Sequence, residues 1–347
     1  MISLTRLFRK TFLFPLAIIY GLVTYLRNLL YDFRILKTYK IPLKSICVGN
    51  LSVGGTGKTP HVMYLINKLI GSYSVAVLSR GYGRKTNGFR YVTTADIATN
   101  VGDEPLSYAY RFMNKIVVSV CESRVFGIEK LINEQTIDLI ILDDAYQHRK
   151  VTAGLNIILT EYSNPYFNDY MLPAGDLREY RFGVKRSDIL IVTKCPVNID
   201  LQEKNRFLNK IKLDSNKVFF SHIKYGFPIS FNNLKFSESA TVLLITGIAN
   251  PAPLVKYVES INTTETLFFP DHHSFSLIDI RKIHAKFDTI PANEKFILTT
   301  EKDYMRLKDT LSEEEMIKYP WFYLPIEVKI DREEDFINEI TGYVRAV

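Results

Sequence analysis

The sequence predicts an α/β protein of mostly parallel sheet, with a smaller C-terminal α/β lobe and an apolar helix at the N-terminus. Three observations predict it. Short, continuously apolar runs alternate with helix-like segments, the pattern of parallel strands covered on both faces. A glycine-rich turn ending in Gly57-Lys58-Thr59 separates the first run from the first helix. The alternation then restarts beyond about residue 225, after the polar, aromatic stretch Phe227–Glu238.

The N-terminal helix is expected from Thr11–Leu26, which carries no charge over 16 residues. Arg6, Arg9 and Lys10 precede it, and Arg27, Arg34, Lys37 and Lys40 follow. A full membrane span takes about 20 apolar residues, and this run is shorter and interrupted by Pro15 and Gly21. Basic charge on both sides fits a helix seated in one leaflet at the cytoplasmic face. A buried helix of a soluble body and a span or signal segment are the alternatives, but no small-x-small cleavage site follows. Residues 1–95 hold 14 Lys and Arg against one acid, Asp32, whereas the chain nets +7, so the remainder is acidic. A basic N-terminal third suits an anionic lipid surface or a phosphorylated substrate. Zinc-finger spacing, an aromatic ribonucleoprotein motif and heptads are all missing, which argues against nucleic acid as a partner.

With 347 residues, 47% of them hydrophobic, the chain can bury two cores. The boundaries expected are 1–40 for the N-terminal helix, 41–225 for the core and 226–347 for the second lobe. Cys47, Cys121 and Cys195 lie far apart in or beside apolar runs. They offer neither a metal pair nor a disulfide framework and read as small buried hydrophobes in a reducing cytoplasm.

Strands are expected at Ser45–Val48, Val75–Ser79, Ile116–Val120, Asp138–Leu142, Leu155–Leu159 and Ile189–Thr193, with helices near 61–70, 104–113 and 123–133. In the second body, strands are expected at Thr241–Thr246, Thr266–Phe269 and Phe296–Thr299. Helices are expected near 252–260, 276–287 and 302–309.

Between the first strand and first helix, residues 49–60 read GNLSVGGTGKTP. A strand, a glycine-rich turn with Gly-Lys-Thr and a helix make a phosphate-binding P-loop, which points to a P-loop NTPase fold. Ser52, Val53, Gly54, Gly55, Thr56, Gly57, Lys58 and Thr59 form the expected nucleotide cradle. Its backbone N–H groups and the helix N-terminus face the phosphates. Lys58 would reach the β- and γ-phosphates and the Thr59 hydroxyl would ligate Mg²⁺. Ser52 stands where the general pattern has Gly.

Asp138–Asp144, DLIILDD, is an apolar strand ending in acids, the Walker B form. A carboxylate at the carboxyl end of a parallel strand faces the ligand crevice and can hold Mg²⁺. Successive strand residues point to opposite faces, so Asp143 and Asp144 should have different tasks unless the strand has ended. Val101–Pro105, VGDEP, places Asp103 and Glu104 at a helix start. Helix capping explains that placement; the functional reading gives one acid a proton to accept and the other a share of Mg²⁺. Asp271-His272-His273 follows a strand, with too few ligands for a metal site but enough for an Asp–His pair in proton transfer. The loop SRGYGRK offers Arg80 and Arg84, and LPAGDLRE offers Arg178; each is either a phosphate partner or an ordinary surface arginine.

GNLSVGGTGKTP, LSRGYGR, VGDEP, ILDDAYQHR, LPAGDLRE, FPDHH and TTEKDYMRL, in this order and spacing, resemble the tetraacyldisaccharide 4′-kinase family over about residues 5 to 310. Ser52 agrees with that family; Asp176 departs from it, where relatives often have Pro. The resemblance implies ATP and Mg²⁺ as cofactors and an acylated glucosamine disaccharide phosphate lipid as acceptor. It implies an active site between a larger core and a smaller lobe, at the cytoplasmic face of the bacterial inner membrane. Position by position, it implies Asp103 as the catalytic base with His272 as its dyad partner, and Lys58 and Thr59 on the phosphates and Mg²⁺. It further implies Glu104, Asp143 and Asp144 as metal and active-site acids, and Arg178 on the acceptor side. No sequence feature calls for an obligate protein partner. The rival readings are a membrane-associated GTPase or ATPase and a non-catalytic nucleotide-binding scaffold. The base-reading Asn-Lys-x-Asp motif and the ATP-cassette signature are both absent, and a scaffold has no use for a base.

Overall fold

The computed structural model describes residue 9 and residues 11–346. Arg6 and Lys10, two of the basic residues flanking the apolar run, lie outside them.

The strand Lys44–Asn50 lies at the centre of a nine-stranded sheet. On one side come Leu155–Glu161, Ile189–Thr193, Val218–Tyr225 and Ile326–Ile330. On the other come Leu139–Asp143, Val75–Ser79, Val117–Val120 and Arg90–Tyr91. The pairings are parallel except for the two edge strands, Ile326–Ile330 and Arg90–Tyr91. The side-chain alternation of a strand sorts the apolar runs onto two faces. Ile46, Val48, Val77 and Ile141 join the core beneath helices Lys58–Leu69 and Asp103–Phe112, while Cys47, Ala76, Leu78 and Ile140 join the opposite core. The three cysteines are buried and unbridged, as expected.

A second, five-stranded sheet is ordered Ile229–Ser230, Trp321–Leu324, Lys295–Thr300, Thr241–Thr246, Thr263–Phe268, with a core on each face. The chain then leaves it. Ile326–Ile330 pairs antiparallel with Val218–Tyr225 in the large sheet, and Phe336, Ile340 and Val344 of helix Glu333–Arg345 enter the large sheet's core. The end of the second α/β body expected from sequence thus runs along the edge of the first. Helix Asp103–Phe112 packs on helix Glu301–Leu307 of the second body, with Arg111 Nη1 donating to Glu301 Oε2 at 3.1 Å.

The N-terminal helix spans Phe14–Asp32, with Pro15 in its first turn, where the missing N–H costs nothing. By length and composition it could cross a membrane. Only Ala17, Gly21 and Tyr31 are buried, while Leu16, Ile18, Ile19, Leu22, Val23 and Leu26 are exposed. One face rests on the body: Tyr20 donates to Arg178 O at 3.1 Å and Asn28 to Glu179 at 3.2 Å. Tyr25 packs edge-on against Tyr180 and Phe182. The alternative of a helix buried inside a soluble body does not describe it.

Candidate active site

The glycine-rich turn leaves strand Lys44–Asn50 and enters helix Lys58–Leu69 through Gly57, whose φ of 87° favours glycine. Two side-chain bonds fix the turn: Asn50 Nδ2 donates to Thr56 Oγ1 at 2.9 Å and Thr193 Oγ1 to Thr56 O at 2.9 Å. His61, one turn into the helix, bonds Gly57 O through Nδ1 at 2.7 Å and Ser221 Oγ through Nε2 at 2.9 Å. A carbonyl only accepts, so Nδ1 carries the proton and Nε2 takes the Ser221 hydroxyl. Burial pushes the His61 imidazolium down to about 4, so His61 is a neutral brace.

Ser52 forms an antiparallel bridge with Leu177, and Val53 N donates to Asp176 O at 2.7 Å. Arg178 N donates to Leu51 O at 2.8 Å. LPAGDLRE is thereby stitched to the entry of the turn, and a buried Ser52 fits this bridge. Asp176, the departure from the family pattern, also takes Arg9 Nη2 at 2.9 Å, tying the loop to the chain before the N-terminal helix.

Asp143 and Asp144 diverge because the strand ends between them: Asp144 has φ 48°. Asp143 points into the core face, where Ser79 Oγ and Tyr108 OH each donate to Oδ2 at 3.2 Å. Its Oδ1 is buried with no hydrogen-bond partner. Burial, Glu104 and Asp144 push the Asp143 carboxyl up to about 7. Glu104 is also raised, by burial and by Asp103. The Thr59 hydroxyl lies close enough to Tyr108, beside Asp143, to favour ionisation of its phenol. An orphaned carboxylate oxygen among acids is what a hard cation would satisfy. Among the described residues no three His, Cys, Asp or Glu form a metal cage by themselves. Mg²⁺ is typically held by one or two carboxylates, substrate phosphates and water.

Asp144 turns the other way, to the basic side. Lys58 Nζ lies 3.7 Å from its Oδ2, and Arg178 grips both its oxygens. Burial opposes its ionisation, but Lys58 and Arg178 outweigh it and hold the carboxyl at about 2. Arg178 also reaches Asn50 O at 3.2 Å and the Asn50 side chain.

Asp103 opens its helix directly after Gly102, whose φ is 93° and where a Cβ would come within 3.2 Å of Gly81 Cα. That contact seats the SRGYGRK loop beside Asp103. Across the crevice, the second body brings His272 Nδ1 to 3.6 Å and Lys302 Nζ to 3.9 Å from Asp103 Oδ2, with Arg306 Nη2 in contact with the same oxygen. Burial pushes the Asp103 carboxyl up, but His272, Lys302 and Arg306 together hold it well below the usual carboxylate range. His273 turns away, bonding Asp279 at 3.1 Å and stacking on Phe269.

The basic loops separate as well. Arg84 is buried beside Gly81, paired with Glu122 and donating to Gly88 O at 2.6 Å. Arg80 is exposed at the end of strand Val75–Ser79. It lies close enough to His148 and Arg124 to weigh on both charges, on the Asp144 side of the crevice. Sequence reasoning missed Arg306, Lys302 and the Ser79–Tyr108 pair on Asp143. The only available signal was TTEKDYMRL, whose residue types alone name no chemistry.

The chain matches the family model of the tetraacyldisaccharide-1-P 4′-kinases over residues 9–345. It is 44% identical over 347 residues to the tetraacyldisaccharide 4′-kinase of Flavobacterium johnsoniae, covering 98% of each chain. To that of Bacteroides thetaiotaomicron it is 42% identical, covering 96% of this chain and 93% of the relative. Among solved structures it resembles the "apo" form of LpxK from Aquifex aeolicus in complex with ATP. The TM-score is 0.75 at 29% identity, covering 96% of this chain and 99% of the other. With matches of this extent, the chain belongs to the tetraacyldisaccharide-1-P 4′-kinase family.

Proposed function

We propose that this protein transfers the γ-phosphoryl group of ATP to the 4′-hydroxyl of a tetraacylated glucosamine disaccharide 1-phosphate. One observation carries the reading in a chain of this family. A P-loop lysine and two strand-end acids from the large sheet converge with Asp103, which meets His272 of the second body across the crevice. On this reading the fold is a P-loop NTPase fold. The work is divided between a helix in 1–40, a nucleotide-binding body over 41–225, and an acceptor-closing lobe from 226 onward whose end returns to the large sheet.

Residues 52–59 would cradle the triphosphate, with Lys58 neutralising charge as it shifts toward the leaving oxygen. Thr59, Asp143 and Glu104 fit Mg²⁺, with Asp144 beside them; the ion would supply charge neutralisation on the phosphates. The acceptor oxygen bonds to the γ-phosphorus, the bond from that phosphorus to the β,γ-bridging oxygen breaks, and ADP leaves. Asp103 takes the acceptor's proton, with His272 beside it. A carboxylate this acidic is a weak base, which suits a transfer in which the proton is lost late. Arg80 and Arg178 would bind the acceptor's own phosphate.

The acceptor carries acyl chains whose exposure to water costs about 0.8 kcal/mol per methylene, so the enzyme must work at the membrane. The exposed apolar face of Phe14–Asp32 supports seating in one leaflet, on the cytoplasmic side where ATP is available. ATP consumption with Mg²⁺, with and without the lipid and beside Asp103→Ala, tests the reading. Lipid-dependent turnover lost in the variant supports it; turnover indifferent to lipid would move the argument to a membrane NTPase.

A further inference from the structure

TTEKDYMRL, Thr299–Leu307, carries no phosphate- or metal-binding signature, yet it supplies the closest cation to Asp103. Thr300 caps helix Glu301–Leu307, its side chain accepting from Asp303 N at 3.0 Å. Asp303 is completely buried. It accepts from Thr300 Oγ1 at 2.8 Å, Gly247 N at 3.0 Å, Thr246 Oγ1 at 3.1 Å and Arg306 Nη1 at 3.3 Å. A buried carboxylate so saturated is a fixed point. Gly247 also accepts His272 N at 3.2 Å, and Asp271 Oδ1 takes the same N–H at 3.0 Å, holding His272 at φ 58°. One buried acid therefore anchors both the arginine and the loop that carries the histidine.

From that anchor Arg306 Nη2 touches Asp103 Oδ2 and lies 3.1 Å from His272 Nδ1. The side chains of Arg306 and Asp103 are each only 8% exposed, so water screens little of the pair. Lys302, one turn earlier on the same helix, stands 3.1 Å from His272 Nε2. A neutral imidazole has one lone pair, so it accepts from Arg306 at Nδ1 or from Lys302 at Nε2, never both. When Lys302 holds Nε2, the Nδ1 proton faces Asp103; when Arg306 holds Nδ1, Arg306 itself joins the two.

We propose that Arg306, clamped by Asp303, is a positioning residue for phosphoryl transfer: its guanidinium fork holds Asp103 and His272 in register across the crevice between the two sheets. This rests on Asp103 as the base. A planar fork can serve Asp303, Asp103 and His272 at once, whereas an ammonium cannot span them with fixed geometry.

The test is steady-state kinase turnover of the full chain, with melting temperatures, for wild type, Asp103→Ala, His272→Ala, Arg306→Gln, Arg306→Lys, Asp303→Asn and the Arg306→Gln/His272→Ala double variant. Misplacing a reacting group can cost about 100-fold. Arg306→Gln is therefore expected to lose kcat on that order, with the KM values for ATP and lipid within about 3-fold, and Arg306→Lys to recover only a small part. Adding His272→Ala to Arg306→Gln should cost less than about 3-fold more, because both act through Asp103. Losses that multiply, or a kcat retained in Arg306→Gln while Asp103→Ala is dead, would overturn the proposal alone. Full turnover by Asp103→Ala would overturn it together with the base. If Arg306→Gln melts early, Arg306→Lys and Asp303→Asn decide: loss of kcat at wild-type melting temperature supports positioning, and wild-type kcat overturns it.

Discussion

Arg178 holds Asp144 through both arms of its guanidinium, Nη2 to Oδ1 at 2.7 Å and Nη1 to Oδ2 at 3.2 Å, while Lys58 faces the same carboxylate from 3.7 Å. The pair links the loop LPAGDLRE, on which the N-terminal helix rests, to the lysine of the glycine-rich turn. Arg178→Lys is expected to lower kcat/KM by about 10-fold or more, because lysine cannot reproduce the fork. The group is partly exposed, so stability should fall by no more than about 1 kcal/mol. Steady-state kinetics and thermal unfolding check both.

Lys58→Ala should remove charge stabilisation in the transition state. A loss in kcat of about 100-fold or more is expected, at nearly unchanged stability. Rapid-quench turnover of preformed enzyme–lipid complex reads the chemical step directly.

Asp143 has its carboxyl raised to about 7 by burial and by Glu104 and Asp144. A raised carboxyl means the folded protein binds the proton more tightly than the unfolded chain. This contribution is fully present below about pH 4, the unfolded range, and is lost as pH rises through about 7. Asp143→Asn, which keeps the shape without the charge, should melt higher than wild type at pH 8 without Mg²⁺ and lose turnover. Thermal unfolding across pH checks the first, and turnover the second.

The exposed face of helix Phe14–Asp32 should carry membrane affinity without carrying fold stability. Ile19→Glu with Val23→Glu places charge on residues that touch water in the folded protein. Vesicle co-sedimentation is expected to drop with the melting temperature unchanged. Gly21→Leu acts differently: a Cβ there would come within 2.6 Å of Tyr180 Oη. It should lift the helix off the body and lower turnover even in detergent.

Much of the fold was legible because the central strands are apolar on both faces. Val75–Ser79, Ile189–Thr193 and Thr241–Thr246 lie where continuous apolar runs placed them. Ile326–Ile330 was missed because it is a short edge strand of alternating exposure, half of it solvated, and its partner lies a hundred residues back. The glycine-rich turn between strand Lys44–Asn50 and helix Lys58–Leu69 was legible because Gly57, Lys58 and Thr59 are adjacent in sequence. The grip of Arg178 on Asp144 and of Arg306 on Asp103 was not. Each joins distant segments, and an arginine in a loop or short helix reads as surface until folding buries it.

The most direct test follows the terminal phosphoryl group of labelled ATP in a mixture of the protein, Mg²⁺ and a tetraacylated glucosamine disaccharide 1-phosphate. The account predicts one labelled phosphate on the lipid for each ADP formed, attached at the 4′-hydroxyl, and little label in water. Label released as free phosphate at the same rate with or without the lipid would contradict it.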